Sequence, residues 1–433
     1  MLQTLGMLSR PHGFLERCQR RYGDVFSLHV APYGRMVFLA DPALVRQVFT
    51  GDTRVFHVGG VRSRILGPLL GTHSLLLLDE DEHMRERKLM LPAFHGEALR
   101  RYPELIEEIA EASVRSWPVG KPIALRPRMQ GITLEVILRL VIGVRDAKAL
   151  ARLRALLGQL LDQSTTLLFL ATALDRDISW FPPWANFLSI RAAADELIYR
   201  EIARRRADPS GDDILALLVQ ASGDSLTDEE LRDELMTLLI AGHETTATAL
   251  AWAFERLTRH PGILARLRDG DPAYLDAVIK ETLRVRPVVM EVGRDLTQDM
   301  RIGGWELPAG TRVMSSIALV QKAENHWSDP RAFRPERFLD GPGPAPYTWI
   351  PFGGGPRRCI GASFATTEMA AIIPLVLRHF DLAPDRPEPE RSQTRNVTQV
   401  PARGARVILT RRPPMLLSKQ DADEGTETAA MRT

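Results

Sequence analysis

The longest helical pattern in the chain sets the scale of its fold. It begins at Thr227-Asp228-Glu229-Glu230, a capping box in which a threonine precedes a glutamate by three residues. The pattern continues to Arg259, where His260-Pro261-Gly262 ends it. At about 1.5 Å per residue the helix is roughly 50 Å long. A helix of this length crosses a whole domain, so other elements must be arranged along it.

The middle of this helix contains residues that are unusual in a helix interior. Gly242 costs about 1 kcal/mol of helix stability relative to alanine. Glu244, Thr245 and Thr246 place polar groups between apolar flanks. A single such residue has a structural explanation, such as a threonine bonding back to the preceding turn or a glutamate paired elsewhere. Several together indicate a functional site.

A second unusual segment is the loop F-G-G-G-P-R-R-C-I-G, from Phe352 to Gly361. Three consecutive glycines and a proline exclude regular structure and describe a tight loop. A helical run resumes at Ala362, so Cys359 lies at a helix entrance, where backbone N–H groups and the helix dipole favour a thiolate. Arg357 and its neighbour Arg358 add positive charge beside it.

Such a cysteine has several possible roles, namely zinc ligand, nucleophile, axial ligand of haem iron, or buried residue of an ordinary glycine-rich turn. Zinc is disfavoured because the only other cysteine, Cys18, is far upstream and forms no C-x-x-C pair. A single cysteine with distant histidines still suits a nucleophile, so the residues alone leave this alternative open.

Composition excludes other classes of protein. A formal net charge of +2 argues against a nucleic-acid binder that works by bulk electrostatics. Two cysteines give no disulfide framework and suit a reducing compartment. No segment reaches the roughly 18 apolar residues of a membrane span, and the N-terminus lacks the pattern of a signal peptide. We therefore expect a soluble, cytoplasmic protein without a membrane anchor.

Four motifs together resemble the cytochrome P450 family. Phe352-x-x-Gly355-x-Arg357-x-Cys359-x-Gly361 resembles its haem-binding loop, and A-G-H-E-T-T, residues 241–246, resembles its oxygen-binding motif. E-T-L-R, residues 281–284, and P-E-R-F, residues 335–338, complete the family order. The resemblance covers about residues 12–411 and identifies the chain as a soluble bacterial type of cytochrome P450.

The resemblance implies a mainly α fold with a small β lobe. In this fold a helical prism surrounds a long central helix, and haem b lies between that helix and the cysteine-bearing helix. We expect one catalytic domain over residues 1–413. Residues 414–433 are polar, charged and low in aromatics, and we expect them to be a disordered tail.

The resemblance also implies roles for individual residues. Glu244 and Thr245 would manage protons on the distal side of the haem. Glu281, Arg284 and Arg337 would form a buried structural triad. The implied cofactor-binding residues are His83, Arg87, Ala241, Arg294, Phe352, Arg357, Cys359 and Gly361, with Cys359 as the axial ligand of the iron.

Two of the cofactor-binding residues also have a simpler explanation. His83 and Arg87 lie four apart on a helix predicted to begin after an N-cap at Asp79, so they share one face. Without the resemblance, this would be a solvated basic face. With it, the two side chains would hold a haem propionate, since a guanidinium binds a carboxylate with two hydrogen bonds.

The activity implied is insertion of one atom of O₂ into a lipophilic substrate, of the fatty acid, terpenoid or steroid class. Electrons would come from separate partners, a ferredoxin and ferredoxin reductase or an equivalent, and the protein would be a monomer. One alternative is a peroxide-driven or isomerising haem-thiolate enzyme, against which the Glu244-Thr245 pair argues. Another is a non-catalytic haem sensor, although nothing resembles an output domain.

Four further expectations concern local structure. Glu291 stands where the family often has an apolar residue, and we expect it to face solvent, with a substrate contact as the alternative. Arg204-Arg205-Arg206 is expected to be a solvated helix end complementing the helix dipole. The prolines at 182–183 are expected to interrupt the helical pattern, with a helix from about Ser189. Residues 396–401 and 405–409 are expected to pair as a hairpin.

Overall fold

A computed structural model describes residues 2–413 except 10, 32, 59, 145, 175–180 and 224. The predicted tail, 414–433, lies outside the described residues. The α-helices are Leu2–Ser9 (α1), Pro11–Tyr22 (α2), Pro42–Thr50 (α3), Gly60–Leu70 (α4), Glu80–Met90 (α5), Gly96–Val114 (α6), Leu125–Ile137 (α7), Ala147–Leu174 (α8), Pro182–Ala207 (α9), Ile214–Ser222 (α10), Asp228–Leu257 (α11), Pro261–Leu267 (α12), Pro272–Val285 (α13), Ile317–Val320 (α14) and Ala362–His379 (α15).

The strands form four small sheets. The largest has the order β1-β2-β8-β5-β3, a three-stranded sheet has the order β4-β12-β9, and β6-β7 and β10-β11 are two-stranded. The strands are Val25–Val30 (β1), Gly34–Leu39 (β2), Phe56–His57 (β3), Pro122–Ala124 (β4), Glu291–Leu296 (β5), Met300–Ile302 (β6), Trp305–Leu307 (β7), Arg312–Ser316 (β8), Phe380–Pro384 (β9), Ser392–Arg395 (β10), Thr398–Pro401 (β11) and Arg406–Arg411 (β12). The prediction of a mainly α fold with a small β lobe is confirmed.

The predicted long helix is α11. Its capping box forms as expected, with the Glu230 N–H donating to Thr227 Oγ1 at 3.2 Å and the Thr227 N–H donating to the Glu230 carboxylate at 2.8 Å. Most of its residues are buried on all sides. A helix that is buried around its whole circumference lies within the core, so α11 is the element against which the others pack.

Gly242 lets α7 approach α11 closely. A Cβ at this position would lie 2.5 Å from Ile137 Cδ1 on α7, which is closer than real carbon contacts. Gly242, which is unusual in a helix interior, is therefore required for the close packing of α7 against α11.

The helical lobe and the largest sheet have separate cores. One large apolar cluster joins α6, α7, α9, α11, α13 and α15. The sheet buries both of its faces, because side chains alternate along a strand. In β2, Val37 and Leu39 pack into one cluster with Phe49, whereas Met36 and Phe38 pack into another. Among the described residues, no helix combines the length and apolarity that crossing a membrane requires.

Helix α9 begins earlier than predicted. Its first residues are the prolines expected to interrupt the pattern, and they suit the first turn of a helix because those N–H groups need no partner there. Its C-terminal end also differs from the prediction. Arg205 is 1% exposed and forms an ion pair with Asp213, and Arg206 pairs with Asp228. The expected solvated basic end is therefore wrong for these two arginines.

The predicted C-terminal hairpin is also wrong. β11 pairs with β10, whereas β12 lies between β4 and β9 in another sheet. Both strands form, but β11 pairs with the strand just before it, and β12 pairs with β9 and with the distant β4. The β10-β11 hairpin is fixed to the helical lobe, since Trp252 Nε1 on α11 donates to the carbonyl of Gln399 at 2.7 Å.

A buried ionic network fixes the segment that precedes the cysteine loop. Arg284 on α13 donates to both carboxylate oxygens of Glu281, at 2.7 and 2.8 Å, and both side chains are fully buried. Arg337 Nε donates to the same carboxylate at 3.1 Å, as does the backbone N–H of Arg334 at 2.8 Å. The structure thus brings Glu281, Arg284 and Arg337 together as the sequence predicted.

The first prediction concerns this network. Glu281→Ala removes the carboxylate that Arg284 and Arg337 share, and loss of one partner of a buried pair costs about 3–5 kcal/mol. We expect the free energy of unfolding to fall by this amount, measured by denaturant unfolding of purified protein. Asp276→Ala on the same helix is the control, since its ion pair with Lys280 is exposed and worth at most about 1 kcal/mol. Equal stability of the two variants would contradict the prediction.

Candidate active site

The cysteine loop is shaped by close packing against α3. Gly355 has φ +66°, and a Cβ there would lie 1.7 Å from the carbonyl oxygen of Phe49. A larger residue therefore fits neither the space nor the backbone conformation. A short 3₁₀ turn, Gly355–Arg357, follows, and the Cys359 N–H donates to the carbonyl of Phe352 at 2.9 Å. These contacts hold Cys359 just before α15, as predicted.

The surroundings of Cys359 indicate an internal space. The residue is accessible to solvent-sized molecules, yet burial raises the pKa of its thiol. Both facts hold if the residue borders a space enclosed by protein. A hydrogen bond from the Gly361 N–H and the charges of Arg87 and Arg358 oppose the effect of burial without overcoming it. The expectation that the loop by itself favours a thiolate is therefore wrong, although a coordinated metal ion would deprotonate the sulfur.

A group of cations surrounds His83 on α5. Burial first, and then the charges of Arg357, Arg87 and Arg294, lower the pKa of His83 to about 3. His83 is 2% exposed, so it does not belong to a solvated basic face. The structure brings together four residues predicted from separate parts of the chain. Three guanidinium groups around a neutral imidazole provide a positive potential that suits carboxylates.

Asp79 orients one of these arginines. It occupies the N-cap position of α5, but its side chain makes no capping bond. Instead its Oδ1 accepts from Arg357 Nη2 at 2.6 Å and from the Val58 N–H at 2.9 Å. Arg357 also donates to the carbonyl of Leu78. The sequence identified Asp79 as a cap and missed its contact with Arg357, since the two residues are far apart in the chain.

One face of α11 is also accessible in the middle of an otherwise buried helix. Ala241, Gly242 and Thr245 are partly accessible, whereas His243 and Thr246 are buried. Thr245 Oγ1 donates to the carbonyl of Ala241 at 2.7 Å. This hydroxyl therefore keeps its lone pairs for another donor. The accessible face contains two of the predicted site residues, Ala241 and Thr245.

The side chain of Glu244 does not lie on this accessible face of α11. It is buried and forms an ion pair with Arg126 on α7, and Gln130 Nε2 on the same helix donates to its other oxygen at 2.6 Å. The structure does not join the side chains of Glu244 and Thr245. Sequence reasoning missed Arg126 and Gln130, because nothing local marks them as partners of a helix more than a hundred residues later.

Three further residues, Glu291, Glu368 and Phe352, are at least partly buried. Glu291 is not turned to solvent as expected, because its Oε1 is buried. Glu368 on α15 was not predicted at all. It is fully buried, and burial raises the pKa of its carboxyl to about 8, while both of its carboxyl oxygens lack a hydrogen-bond partner among the described residues. Phe352 is partly buried and packs edge-on against Trp349, with ring centroids 6.3 Å apart.

These residues fit a haem. A single accessible sulfur inside the protein can ligate iron, and Arg87 lies near enough to affect its pKa. The guanidinium groups around His83 suit the two carboxylates of a protoporphyrin. The site therefore combines one soft ligand with a cationic patch, as a haem-thiolate protein requires.

Comparison with known proteins agrees with this class. The family model for cytochrome P450 matches residues 1–270 and 271–408. Cytochrome P450 135B1 of Mycobacterium bovis is 45% identical over 450 residues, which cover all of this chain and 94% of that protein. Cytochrome P450 135A1 of Mycobacterium tuberculosis is 41% identical, covering 94% of this chain and 93% of that protein.

Solved structures agree as well. The cytochrome P450DA heme domain has a TM-score of 0.83 at 25% identity, covering 95% of each chain. Retinoic acid-bound cyanobacterial CYP120A1 has a TM-score of 0.82 at 25% identity, covering 95% of this chain and 96% of that one.

The chain belongs to the cytochrome P450 family. It is therefore a haem-thiolate monooxygenase that uses O₂ and electrons supplied by a redox partner.

Proposed function

We propose that this monooxygenase binds haem b with Cys359 as the axial ligand and with His83, Arg87, Arg294 and Arg357 around the propionates. The observation that carries the proposal is an accessible thiol inside the protein together with guanidinium groups converging on a buried histidine. When bound, such a haem supplies the O₂ chemistry, because a thiolate ligand favours cleavage of the O–O bond. Haem b is favoured since the second cysteine, Cys18, is buried and no C-x-x-C-H motif is present.

The loop and α11 contribute the rest of the proposed haem site. Gly361 positions the sulfur through its N–H, Phe352 packs beside the loop, and Ala241 presents a small side chain on the accessible face of α11. The network of Glu281, Arg284 and Arg337 holds the chain that leads into the loop. We also propose a single catalytic domain over residues 1–413 and a cytoplasmic location, the latter supported by two cysteines that are both free.

A spectrum tests the axial ligand. Cys359→Ser replaces a sulfur that can ionise with an alcohol that does not, so the red-shifted absorption of the reduced CO complex should disappear while haem uptake remains. Cys18→Ala is the matched control, because Cys18 is buried in a different apolar cluster with Leu15 and Phe26. The control should retain the wild-type spectrum. A Cys359→Ser variant with that spectrum would show that another residue ligates the iron.

Thr245 and Glu244 are proposed to manage protons on the distal side. The Thr245 hydroxyl, already donating to Ala241, accepts a hydrogen bond from a water molecule on the accessible face. Glu244 is the acid that replenishes the proton, and its carboxyl must leave Arg126 and Gln130 to do so. Arg126 and Gln130 hold the Glu244 side chain between α7 and α11 when it is not transferring a proton.

The yield of peroxide tests this role. With a ligand that the wild type oxidises, Thr245→Ala should divert a larger fraction of the reducing equivalents to hydrogen peroxide, because protons are no longer delivered in order. Alanine keeps the helix intact. The control is Thr246→Ala, since Thr246 bonds to its preceding turn in the same way but is buried. Peroxide yield per reductant is measured for both, and an unchanged yield in Thr245→Ala would assign Thr245 to packing.

We propose an acidic ferredoxin, with its reductase, as the electron donor. Arg358 is exposed directly beside Cys359, which provides a positive charge at the surface nearest the proposed axial ligand. Electron transfer should slow as ionic strength rises, because charges more than about 10 Å apart are screened at 0.1 M salt. Arg358→Glu should slow it further, whereas Arg301→Glu on the β6-β7 hairpin should not. Stopped-flow reduction rates that ignore both salt and Arg358→Glu would indicate an apolar docking surface.

The proposed substrate is lipophilic, of the fatty acid, terpenoid or steroid class. Leucine and valine residues dominate two segments next to the site, residues 75–78 and 287–292. The solved relative CYP120A1 binds retinoic acid, a largely apolar molecule, which supports the same class here. We also propose that residues 160–185 face the substrate, and part of this segment lies outside the described residues.

A further inference from the structure

The start of α5 differs from the start of three other helices in this protein. Asp41, Asp213 and Asp271 occupy N-cap positions, and each accepts from backbone N–H groups in the first turn of its helix, at 2.8–3.0 Å. Asp79 stands at the same position before α5 and makes no such bond. A capping aspartate satisfies N–H groups that have no partner within the helix. Helix α5 therefore begins without a stabilising contact that these three helices have.

The backbone at this point is also strained. Glu80, the first residue of α5, has φ +48°. This is the left-handed region, which is unfavourable for a residue with a Cβ and persists where the surrounding structure imposes it. The Glu80 side chain contacts His57, whose Nε2 lies 2.8 Å from its Oε1. The explanation for this uncapped, strained helix start must therefore lie in what the Asp79 side chain contacts instead.

The Asp79 carboxylate is turned towards the cysteine loop. Its Oδ1 accepts from Arg357 Nη2 at 2.6 Å and from the Val58 N–H at 2.9 Å. The Arg357 side chain is 8% exposed and that of Asp79 is 22% exposed, so the ion pair is largely shielded from water. Hydrogen bonds between two charged groups are short and stronger than neutral ones. Together with the carbonyl of Leu78, Asp79 thus fixes the position of the Arg357 guanidinium.

The charge of Asp79 also changes the balance of the cationic group around His83. Arg87, Arg294 and Arg357 provide three positive charges, and His83 is neutral because its pKa is lowered to about 3. With the Asp79 carboxylate included, the net charge of the group is +2. Two propionates match this charge. Without Asp79 one positive charge would remain unmatched in a largely buried place, which is unfavourable.

We propose that Asp79 is a positioning residue that holds Arg357 in place for the haem propionates and lowers the reduction potential of the iron. This inference rests on the proposed haem site. Reduction adds an electron, which a nearby negative charge opposes. Arg357 precedes Cys359 by two residues, which span at most about 7 Å, so even with extended side chains the Asp79 charge lies within about 20 Å of the sulfur. At that distance and an effective dielectric constant of about 20, one charge changes the reduction equilibrium about fourfold, and more at shorter distances.

The reduction potential of the haem-loaded protein tests the charge of Asp79. Asp79→Asn removes the charge, while the amide oxygen can still accept from Arg357 and from the Val58 N–H. The equilibrium constant for one-electron reduction should rise about fourfold or more, measured by spectroelectrochemical titration. Asp81→Asn is the matched control, because Asp81 lies in the same first turn of α5 and is exposed. An unchanged potential in Asp79→Asn, or equal shifts in the two variants, would overturn the inference.

The rate of haem loss tests the position of Arg357. Asp79→Ala removes both the charge and the acceptor, so the guanidinium loses a contact that fixes it. Transfer of haem to excess apomyoglobin should be at least about threefold faster than from wild type, because a charge-assisted hydrogen bond is lost. Asp79→Asn should stay within about twofold of wild type, since its acceptor remains. Equal rates for Asp79→Ala and wild type would overturn the positioning role, and Asp79→Asn still tests the charge if the alanine variant does not fold.

The reduced CO spectrum of each preparation separates this inference from the proposed haem site. A wild-type protein that lacks the red-shifted thiolate absorption would contradict the haem site itself. A wild type that shows this absorption, together with Asp79 variants whose potential and rate of haem loss are unchanged, would leave the haem site in place and overturn the role of Asp79 alone.

Discussion

The carboxylate of Glu281 connects three parts of the chain that must be in register for the site to exist. It accepts from Arg284 on its own helix, from Arg337 some fifty residues later, and from the backbone N–H of Arg334. Arg284 in turn donates to the carbonyls of Gln321, Pro330 and Ala332. Irregular backbone between β8 and the cysteine loop thereby finds its hydrogen-bond partners in one guanidinium group. Because these hydrogen bonds are buried or partly buried, the segment before the cysteine loop adopts one conformation. The start of the loop that carries Cys359 is therefore fixed in position.

The site itself is assembled from elements that each contribute one or two groups. The cysteine loop approaches α3 so closely that only glycine fits at position 355. α5 contributes His83 and Arg87, β5 contributes Arg294, and Arg357 returns from the loop to meet Asp79. α11 contributes the partly accessible residues Ala241, Gly242 and Thr245. The cations are grouped around His83, and one of them, Arg87, also acts on the sulfur of Cys359, which accepts from the Gly361 N–H.

Much of this could be predicted from sequence because the signals are local. The capping box of α11, the glycines of the loop and the spacing of His83 and Arg87 each depend on neighbours within a few residues. The fold class followed from the motifs in their order. Partners distant in the chain could not be predicted. Nothing near Glu244 indicates Arg126, nothing near Arg205 indicates Asp213, and β12 could not be seen to join β4 rather than β11. In each case the local pattern was correct and its tertiary partner was missing.

The same limit explains why the acids were hardest to interpret. A carboxylate in a helix or strand looks identical in sequence whether it faces water, an arginine or a ligand. In the tertiary structure these cases differ in what replaces the water around the carboxylate. Glu244 and Glu281 are buried with arginines, whereas both carboxyl oxygens of Glu368 are buried without a hydrogen bond among the described residues, and burial raises the pKa of Glu368 to about 8. Burial also raises the pKa of Glu291 to about 8, and its Oε1 is buried without a hydrogen-bond partner among the described residues, although its side chain is partly accessible.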